Sequence, residues 1–335
     1  MESSAVIEVN RFMLDRSSRG VKRYYSELAG PLAQNFQLVD SPSRKGKIQS
    51  RLSEAFYVGS KTGIFWSPSH SGSLIAHNQV VTVHDSIAIE YIYQGWPYLP
   101  LYRSMLARIL DVSAGIVFIS HATRDSFFRL FDLDANKCHV IQSGFPKVSF
   151  HPCGAPESAP SGARERYVLS VTNFLPHKNT LTLCDAFLRS RLLGAGWRLT
   201  VVGSVSAEAQ ELIARKDIPV EILSSVDDSR LTDLYAGAGA YVSPSLLEGH
   251  NFTIAEALMC GAPVIASDIA AHREFYDGRV TFFDPADAAE LAACLDGVCV
   301  GAAGVRKQDF SGVRTFEHVA ADYVDYFTTL TLGAK

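Results

Sequence analysis

Short apolar, β-branched runs alternate with longer amphipathic stretches from one end of this chain to the other. A strand buried on both faces reads as a continuous apolar run, and its parallel neighbour is reached through a crossover, usually a helix. The alternation therefore predicts parallel α/β sheets. In the first half, strands are expected at 5–9, 63–67, 80–84, 115–120 and 138–142. Helices are expected at 20–34 and at 122–130, the second capped by Ser120 or Thr123. The stretch 150–163, FHPCGAPESAPSGA, is rich in Pro, Gly and Ser and breaks the series. Beyond it the alternation restarts, with strands at 167–171, 197–203, 220–223, 240–242 and 263–266. Helices at 180–193, 207–215, 229–236 and around Glu256 lie between them, and a last helical pattern covers 316–330. A chain of 335 residues exceeds one ordinary core. The expected division is a domain at 1–150, a linker at 151–165, a domain at 166–315 and a terminal helix in 316–335.

Composition narrows the class. With 47% apolar and 20% charged residues the chain reads as globular, and a net charge of −4 argues against general nucleic-acid binding. The first half is slightly basic and the second acidic. That suits an anionic acceptor or membrane surface facing the first half, and equally suits ordinary surface variation. Six scattered cysteines without a C-x-x-C pair fit reduced thiols in a cytoplasmic protein, not a disulfide framework or zinc site. No run of about 18 uncharged apolar residues occurs. The segment 1–20 lacks the apolar core of a secretory signal, so a soluble or peripheral protein is expected.

The chemistry concentrates in 243–261, SPSLLEGHNFTIAEALMCG. A strand, a Gly-containing loop and a helix follow one another, with Glu248 on the loop and Glu256 inside the helix. Backbone N–H groups and the positive end of a helix dipole then converge on one spot, which suits a diphosphate. The two carboxylates can hold hydroxyls on either side of it, such as a ribose and a hexose. This E-x7-E spacing, set in SPS-x-x-EG and EALxCGxPVIAS, resembles the signature of retaining glycosyltransferases of family 4. The resemblance implies an α/β chain of GT-B architecture: two Rossmann-like domains with parallel sheets facing a cleft, and a C-terminal helix crossing back to the first domain. It further implies that Glu256 bonds the ribose hydroxyls, that Glu248 lies by the donor sugar, and that Gly249, His250, Asn251, Phe252 and Thr253 approach sugar and diphosphate. The usual form continues EG with Phe-Gly-Leu-Pro or close variants. Here His250 and Asn251 bring hydrogen-bonding side chains instead, which leaves the donor sugar open.

A second segment, 171–179 (VTNFLPHKN), is similar to the family's G-x-L-x-P-x-K-N. Lys178 is then implied as the charge at the donor's distal phosphate, where negative charge grows as the glycosidic bond breaks. Many relatives place an arginine five residues earlier; this chain has Asn173, and a protonated His177 is the candidate substitute. The loop 17–24 (SSRGVKRY) resembles the family's first Gly-rich loop. Gly20 would let amides at a helix start reach the diphosphate, while Arg19 and Arg23, beside Lys22, add charge on the acceptor side. His84-Asp85 ends a strand at the sheet edge where open parallel sheets bind ligands. By resemblance His84 contacts the donor near its reacting carbon, joining Lys178 and Glu248 in the catalytic set, and Asp85 faces the acceptor. Ser120, with Thr123, resembles a cleft-lining S-x-x-T/S segment on the acceptor side. The stretch 225–228, with Val226, matches where relatives hold the base through backbone contacts.

Three features stand apart. Asp132-Leu133-Asp134 spells the D-x-D metal motif of the other large glycosyltransferase fold, but lies between a helix and a short strand and is discounted. The aromatic run 91–102 reads equally as a membrane- or acceptor-facing surface and as a lid packed on a helix over 105–112. The basic run 44–51 reads first as a solvated loop, against an acceptor phosphate site.

The resemblance implies transfer of a hexose, with mannose from GDP-mannose first among candidates, from a nucleotide-diphosphate sugar to a saccharide or lipid-linked saccharide. The implied setting is surface polysaccharide assembly at the inner face of the cytoplasmic membrane, with no cofactor, no metal and no nucleic-acid partner. Oligomeric state is not legible. A sugar-nucleotide epimerase or hydrolase on the same scaffold competes, since His84, His177 and His250 leave room for acid–base chemistry. So does a non-catalytic sugar-nucleotide-binding subunit, to which Asn173 lends support. A dinucleotide dehydrogenase does not fit, because no G-x-G-x-x-G follows the first strand of either half.

Overall fold

A computed structural model describes residues 5–12, 14, 17–41, 47–59, 63–146, 165–300 and 310–333. The expected linker lies outside these residues except for Glu165, as do Cys153 and the start of the basic run. The chain divides into two units, 1–147 with 312–335, and 148–311.

In the first unit, strands β1 (Val6–Val9), β2 (Gln37–Asp40), β3 (Ile64–Ser67), β4 (Gln79–Val83), β5 (Gly115–Phe118) and β6 (Cys138–Val140) pair in parallel in the order β2-β1-β3-β4-β5-β6. Helices α1 (Arg19–Ala33), α2 (Lys47–Ala55), α3 (Leu99–Val112) and α4 (His121–Leu130) connect them. In α1 the buried residues Val21, Tyr24, Leu28 and Leu32 recur at helical spacing, so one face meets the sheet. Alternate strand residues serve opposite faces. Val81 and Val83 pack with Leu106, Ile109 and Leu110 of α3. The intervening Thr82 bonds Trp66 and Tyr323 on the other side.

In the second unit, β7 (Tyr167–Thr172), β8 (Arg198–Gly203), β9 (Val220–Leu223), β10 (Ala240–Ser243), β11 (Val264–Ser267) and β12 (Thr281–Phe283) form a parallel sheet in the order β12-β11-β10-β7-β8-β9. Its helices are α5 (Thr180–Arg189), α6 (Ala207–Lys216), α7 (Asp228–Gly237), α8 (Phe252–Met259), α9 (Ala270–Tyr276) and α10 (Ala288–Val300). The core joins Val168, Leu199, Val201, Val242 and Ile265 of the sheet to Phe187, Leu291 and Leu295 of its helices. The expected helix 180–193 stops at Arg189, because Ser190 turns extended, and Leu193–Ala195 forms a separate 3-10 turn. At the end of β8, Gly203 has φ +114, and an added Cβ would lie 2.0 Å from the Thr172 carbonyl oxygen. Only glycine lets the two strand ends approach this closely.

The last helix, α11 (Phe316–Gly333), belongs to the first unit and extends the expected 316–330 pattern by one turn. Tyr323 bonds both Tyr24 (3.2 Å) and Thr82 (2.8 Å), and Phe327 packs on Trp66 and Phe36. Each buried ring contributes roughly 2–3 kcal/mol, so the chain's far end completes the core begun by α1.

Winding order positions the sites. From β7 the second sheet proceeds one way through β8 and β9 and the other way from β10 to β12. Loops leaving β7 and β10 therefore diverge and open a crevice at the strands' carboxyl ends, where doubly wound sheets bind ligands. In the first unit the reversal lies between β1 and β3.

Candidate functional site

Both loops at the β7/β10 reversal carry the charged residues singled out from the sequence. After β7, the Asn173 carboxamide oxygen accepts from the Leu175 amide (2.9 Å) and starts a tight turn. The single 3-10 turn Pro176–Lys178 follows. After β10, the Leu246 amide donates to the His177 carbonyl (2.7 Å), tying the two loops together. Asn179, at φ +52, donates to the carbonyls of Pro244 (3.1 Å) and Pro285 (2.9 Å) and so pins a third loop. Lys178 Nζ thereby meets Glu248 Oε1 at 2.5 Å, with side-chain exposures of 19% and 10%. Burial opposes ionisation of Glu248, but the charge and hydrogen bond of Lys178 outweigh it and hold the carboxyl below its ordinary range.

Glu256, in α8, is buried, and its Oε2 accepts from the Tyr235 hydroxyl of α7 (3.0 Å). Asn251, just before α8, has φ +75. Its Nδ2 donates to Ser243 Oγ (2.8 Å) and to His272 Nε2 (3.0 Å), and its Oδ1 accepts from Thr253 (2.7 Å). Since His272 Nε2 accepts, Nδ1 carries the proton, which faces the Ser267 carbonyl at 2.9 Å. Burial lowers His272 to about 4, so it is the neutral imidazole this pattern needs. Tyr241 bonds Thr253 (2.6 Å), and Tyr276 bonds the Asn251 carbonyl (2.8 Å). The bonds of Asn251, Thr253, Tyr241 and Tyr276 fix the turn that aims the α8 N-terminus.

Three expectations change in detail. His177 is buried and lowered to about 4, first by desolvation, so it stays neutral and does not replace the missing arginine charge. His250, also buried, stacks 4.0 Å from the Phe275 ring with Phe252 and Tyr276 around it, and burial lowers it to about 3. Asn251 and Thr253 spend their side chains on the turn, which leaves their backbone amides as the groups expected to approach the donor. Gly249 and Phe252 lie on the same loop and helix start, and Val226 lies just before α7, whose N-cap is Asp227.

At the first unit's sheet edge, His84 is buried, its Nε2 is 2.9 Å from the Pro68 carbonyl, and desolvation lowers it to about 4. Asp85 accepts from the Ile87 amide (3.0 Å). Ser120, rather than Thr123, caps α4: it accepts from the Thr123 amide and donates to its hydroxyl, which in turn bonds the His84 carbonyl (3.0 Å). Ser18 caps α1, so Gly20 falls in its first turn beside exposed Arg19, and Arg23 lies 3.9 Å from Glu27. Asp134 of the D-x-D triplet caps the turn Ala135–Lys137.

Sequence reasoning passed over Tyr235 and His272, whose partners lie 21 positions away, and gave no role to Asn179, although it closes the segment 171–179 singled out there; its partners lie 65 and 106 positions on. It also passed over the β1/β3 reversal. There Asn10 Nδ2 donates to Glu54 Oε1 (2.7 Å) and to Ser67 Oγ (3.1 Å), all three residues being buried.

Doubly wound sheets bind ligands at the reversal, and here that crevice carries a cation–carboxylate pair. Residues 165–299, in the second unit, match the family described as glycosyl transferases group 1. Curated relatives include the O-antigen chain mannosyltransferase RfbU of Salmonella typhimurium, 25% identical over 225 residues, 65% of this chain and 60% of that protein. Another is the MMP alpha-(1->4)-mannosyltransferase of Mycolicibacterium hassiacum, 27% identical over 232 residues, 64% of this chain and 55% of that protein. The chain thus spans little more than half the length of the curated relatives it matches. Among solved structures, a glycosyltransferase from Rickettsia africae gives a TM-score of 0.66 at 16% identity, covering 98% of this chain and 99% of that one. Anabaena HepE in complex with UDP gives 0.63 at 15%, over 98% of both chains. At these identities the likeness shows the fold, which is GT-B.

Proposed function

We propose that the protein is a retaining hexosyltransferase of family 4. It would move a hexose from a nucleotide-diphosphate sugar to a saccharide or lipid-linked saccharide in surface polysaccharide synthesis. The observation that carries this reading is the Lys178–Glu248 pair at the β7/β10 reversal, one helix away from Glu256. Mannose, from GDP-mannose, is the favoured donor, because relatives named as mannosyltransferases recur among the curated matches.

In the proposed reaction the bond from the anomeric carbon to the diphosphate oxygen breaks, its electron pair leaving with the diphosphate. The acceptor hydroxyl oxygen bonds the same face of the sugar and passes its proton to the departing phosphate. Lys178 meets the charge that grows on the distal phosphate, a contribution of typically a few kcal/mol when preorganised. Glu248 holds the ammonium in place, and while so paired it is no free nucleophile for double displacement. Glu256, oriented by Tyr235, receives the ribose hydroxyls. The amides of 249–253, fixed by the Asn251 turn, face sugar and diphosphate. Neither a cofactor nor a metal takes part, the leaving charge being met by Lys178 and helix N-termini.

Calorimetric titration of GDP, UDP, dTDP and ADP with EDTA present, into wild type and Lys178→Ala, tests the site. One diphosphate should bind tightly and weaken in the variant; no binding by any of them sinks the reading. The second reading, a non-catalytic sugar-nucleotide-binding subunit, draws support from Asn173 and the neutral His177, which leave Lys178 without their help. Product formation with a saccharide acceptor separates the two.

A further inference from the structure

We propose that the loop between β3 and β4 of the first unit binds an uncharged sugar ring, with His70 as the side chain that reads its hydroxyls. The loop spells S-P-S-H-S-G-S over 67–73. It leaves the carboxyl end of β3, the edge at which open parallel sheets bind ligands. Its backbone is clamped at both ends. The Pro68 carbonyl lies 2.9 Å from His84 Nε2, while Ser73 donates its amide to Gln79 Oε1 (2.9 Å) and accepts at its carbonyl from Gln79 Nε2 (2.7 Å). Ser73 Oγ is spent on the amides of Ile75 and Ala76. The hydroxyls of Ser67, Ser69 and Ser71 follow one another at 3.5 and 2.9 Å, and Ser71 donates to Glu54. Asn10 Nδ2 closes the circle by donating to both Glu54 and Ser67. That circle satisfies itself and fixes the loop. His70, carried between Ser69 and Ser71, is different: its Nδ1 is buried and has no hydrogen-bond partner among the described residues. A polar atom shut away from water is costly unless something completes it, and a rigid loop holds it ready for a ligand.

The charges around His70 select the ligand. Desolvation lowers the imidazole, against the charge of Asp85, so near neutral pH it is uncharged and can donate at one nitrogen and accept at the other. The charge of Asp85 also reaches Tyr102 of α3. So does that of exposed Arg51 of α2, which acts on Glu54 as well. The loop, the end of α2 and the start of α3 therefore border one space. A phosphate there would meet Asp85 and Glu54 against a single guanidinium, and an ammonium group would meet Arg51. A sugar ring brings no charge, and each of its hydroxyls both donates and accepts. It can give a proton to Asp85, take one from Arg51 and satisfy His70 Nδ1. Naming this sugar the acceptor rests on the transferase reading. It makes the acceptor's end unit a neutral saccharide, not a phosphate-bearing group, and sets His70 beside Asp85 on the acceptor side.

Saturation-transfer NMR on the full chain tests this. The probes are the methyl α-glycosides of mannose, glucose, galactose and rhamnose, with mannose 6-phosphate as the anionic control, each with and without GDP. At least one glycoside should take up saturation, and mannose 6-phosphate should bind no better. His70→Phe keeps a ring and removes both nitrogens, so it should weaken that glycoside roughly two- to tenfold, the loss of one or so hydrogen bonds. His70→Asn, whose carboxamide can stand where Nδ1 does, should recover part of the loss, which a purely structural role for the ring would not allow. If His70→Phe does not fold, Arg51→Ala, a change at an exposed position, should weaken the glycoside by a similar factor. No response to any glycoside with or without GDP would overturn the proposal, the histidine then being completed by water alone. Equal binding by all variants, or preference for mannose 6-phosphate, would overturn it too. GDP should bind His70→Phe as it binds wild type. Failure of GDP to bind wild type would sink the transferase reading alone, because the glycoside response is also read without nucleotide.

Discussion

Each sheet reverses its winding once, and each reversal holds a carboxylate shielded from water, Glu54 buried and Glu248 half-buried, yet the two behave in opposite ways. At β7/β10, Glu248 pairs with Lys178 and its carboxyl is held below the ordinary range. Beside β1/β3, Glu54 is bonded by Asn10; burial raises its carboxyl, and hydrogen bonds from Ser71 and Asn10 and the charge of Arg51 offset this only in part. The same fold position thus makes two sites: one keeps a charge ready for an anion, the other is lined by neutral hydrogen-bonding groups. What differs is a cation in direct contact: Lys178 bonds Glu248, whereas Arg51 acts on Glu54 through its charge alone.

The strongest way to break this contrast is to remove the cation. Lys178→Ala should lower turnover by about 10²–10³, the loss typical of one group that stabilises a developing anion, and should also destabilise the protein on the order of 2 kcal/mol by leaving Glu248 without its counter-ion. Steady-state rates at saturating donor check this. A loss confined to KM would show that Lys178 serves binding alone.

Keeping the cation and neutralising its partner comes next. Glu248→Gln leaves Lys178 without a counter-ion in a half-closed site. It should destabilise the protein on the order of 2 kcal/mol, less than for a pair wholly cut off from water. Because the native carboxyl is depressed, its contribution is present above the unfolded pKa and is lost as pH falls through the folded one. Denaturant midpoints measured across acid pH should therefore converge for wild type and Glu248→Gln as pH drops.

The turn before α8 offers a finer cut. Asn251 holds a left-handed backbone and also three side-chain bonds. Asn251→Ala loses both and should cost roughly 2 kcal/mol, whereas Asn251→Gly regains the backbone freedom and should cost about 1 kcal/mol less. Equal losses would mean that the bonds to Ser243 and His272 carry the whole effect. The donor KM should rise in both variants.

How much of this was legible follows from range. Parallel sheets were readable because Val-rich runs such as 80–83 and 199–202 need burial on both faces. Lys178, Glu248 and Glu256 were singled out because the segments around them, 171–179 and 243–261, resemble a family's motifs, not because a lone Lys or Glu declares a role. β2, α2, α9, β12 and α10 were not foreseen: β2 lies in a half-exposed edge of four residues, too short for a period to declare itself. His272 lies in the unforeseen α9, and its role exists only because β11 brings α9 beside Asn251. The Asn10–Glu54–Ser67 group has the same cause, its members lying 44 and 57 positions apart. Winding order creates such sites, and winding order is not written in any one segment.

The smallest expected effect is also the one that most sharpens the contrast. Glu54→Gln keeps an oxygen for Asn10 and removes the charge, so stability near neutral pH should change by less than about 1 kcal/mol. The sign of its pH dependence is the informative part. A carboxyl raised in the native state contributes stability below its unfolded pKa, and that contribution is lost as pH rises through the folded value. Wild type should therefore lose ground to Glu54→Gln as pH climbs through and beyond the ordinary carboxylate range, opposite to the Glu248 pair. Unfolding midpoints of the two variants, followed over one pH series, would slope apart if the cation alone separates the sites. Parallel slopes would mean that Glu54 is ionised in the native state and that Arg51, rather than the neutral groups around it, sets its character.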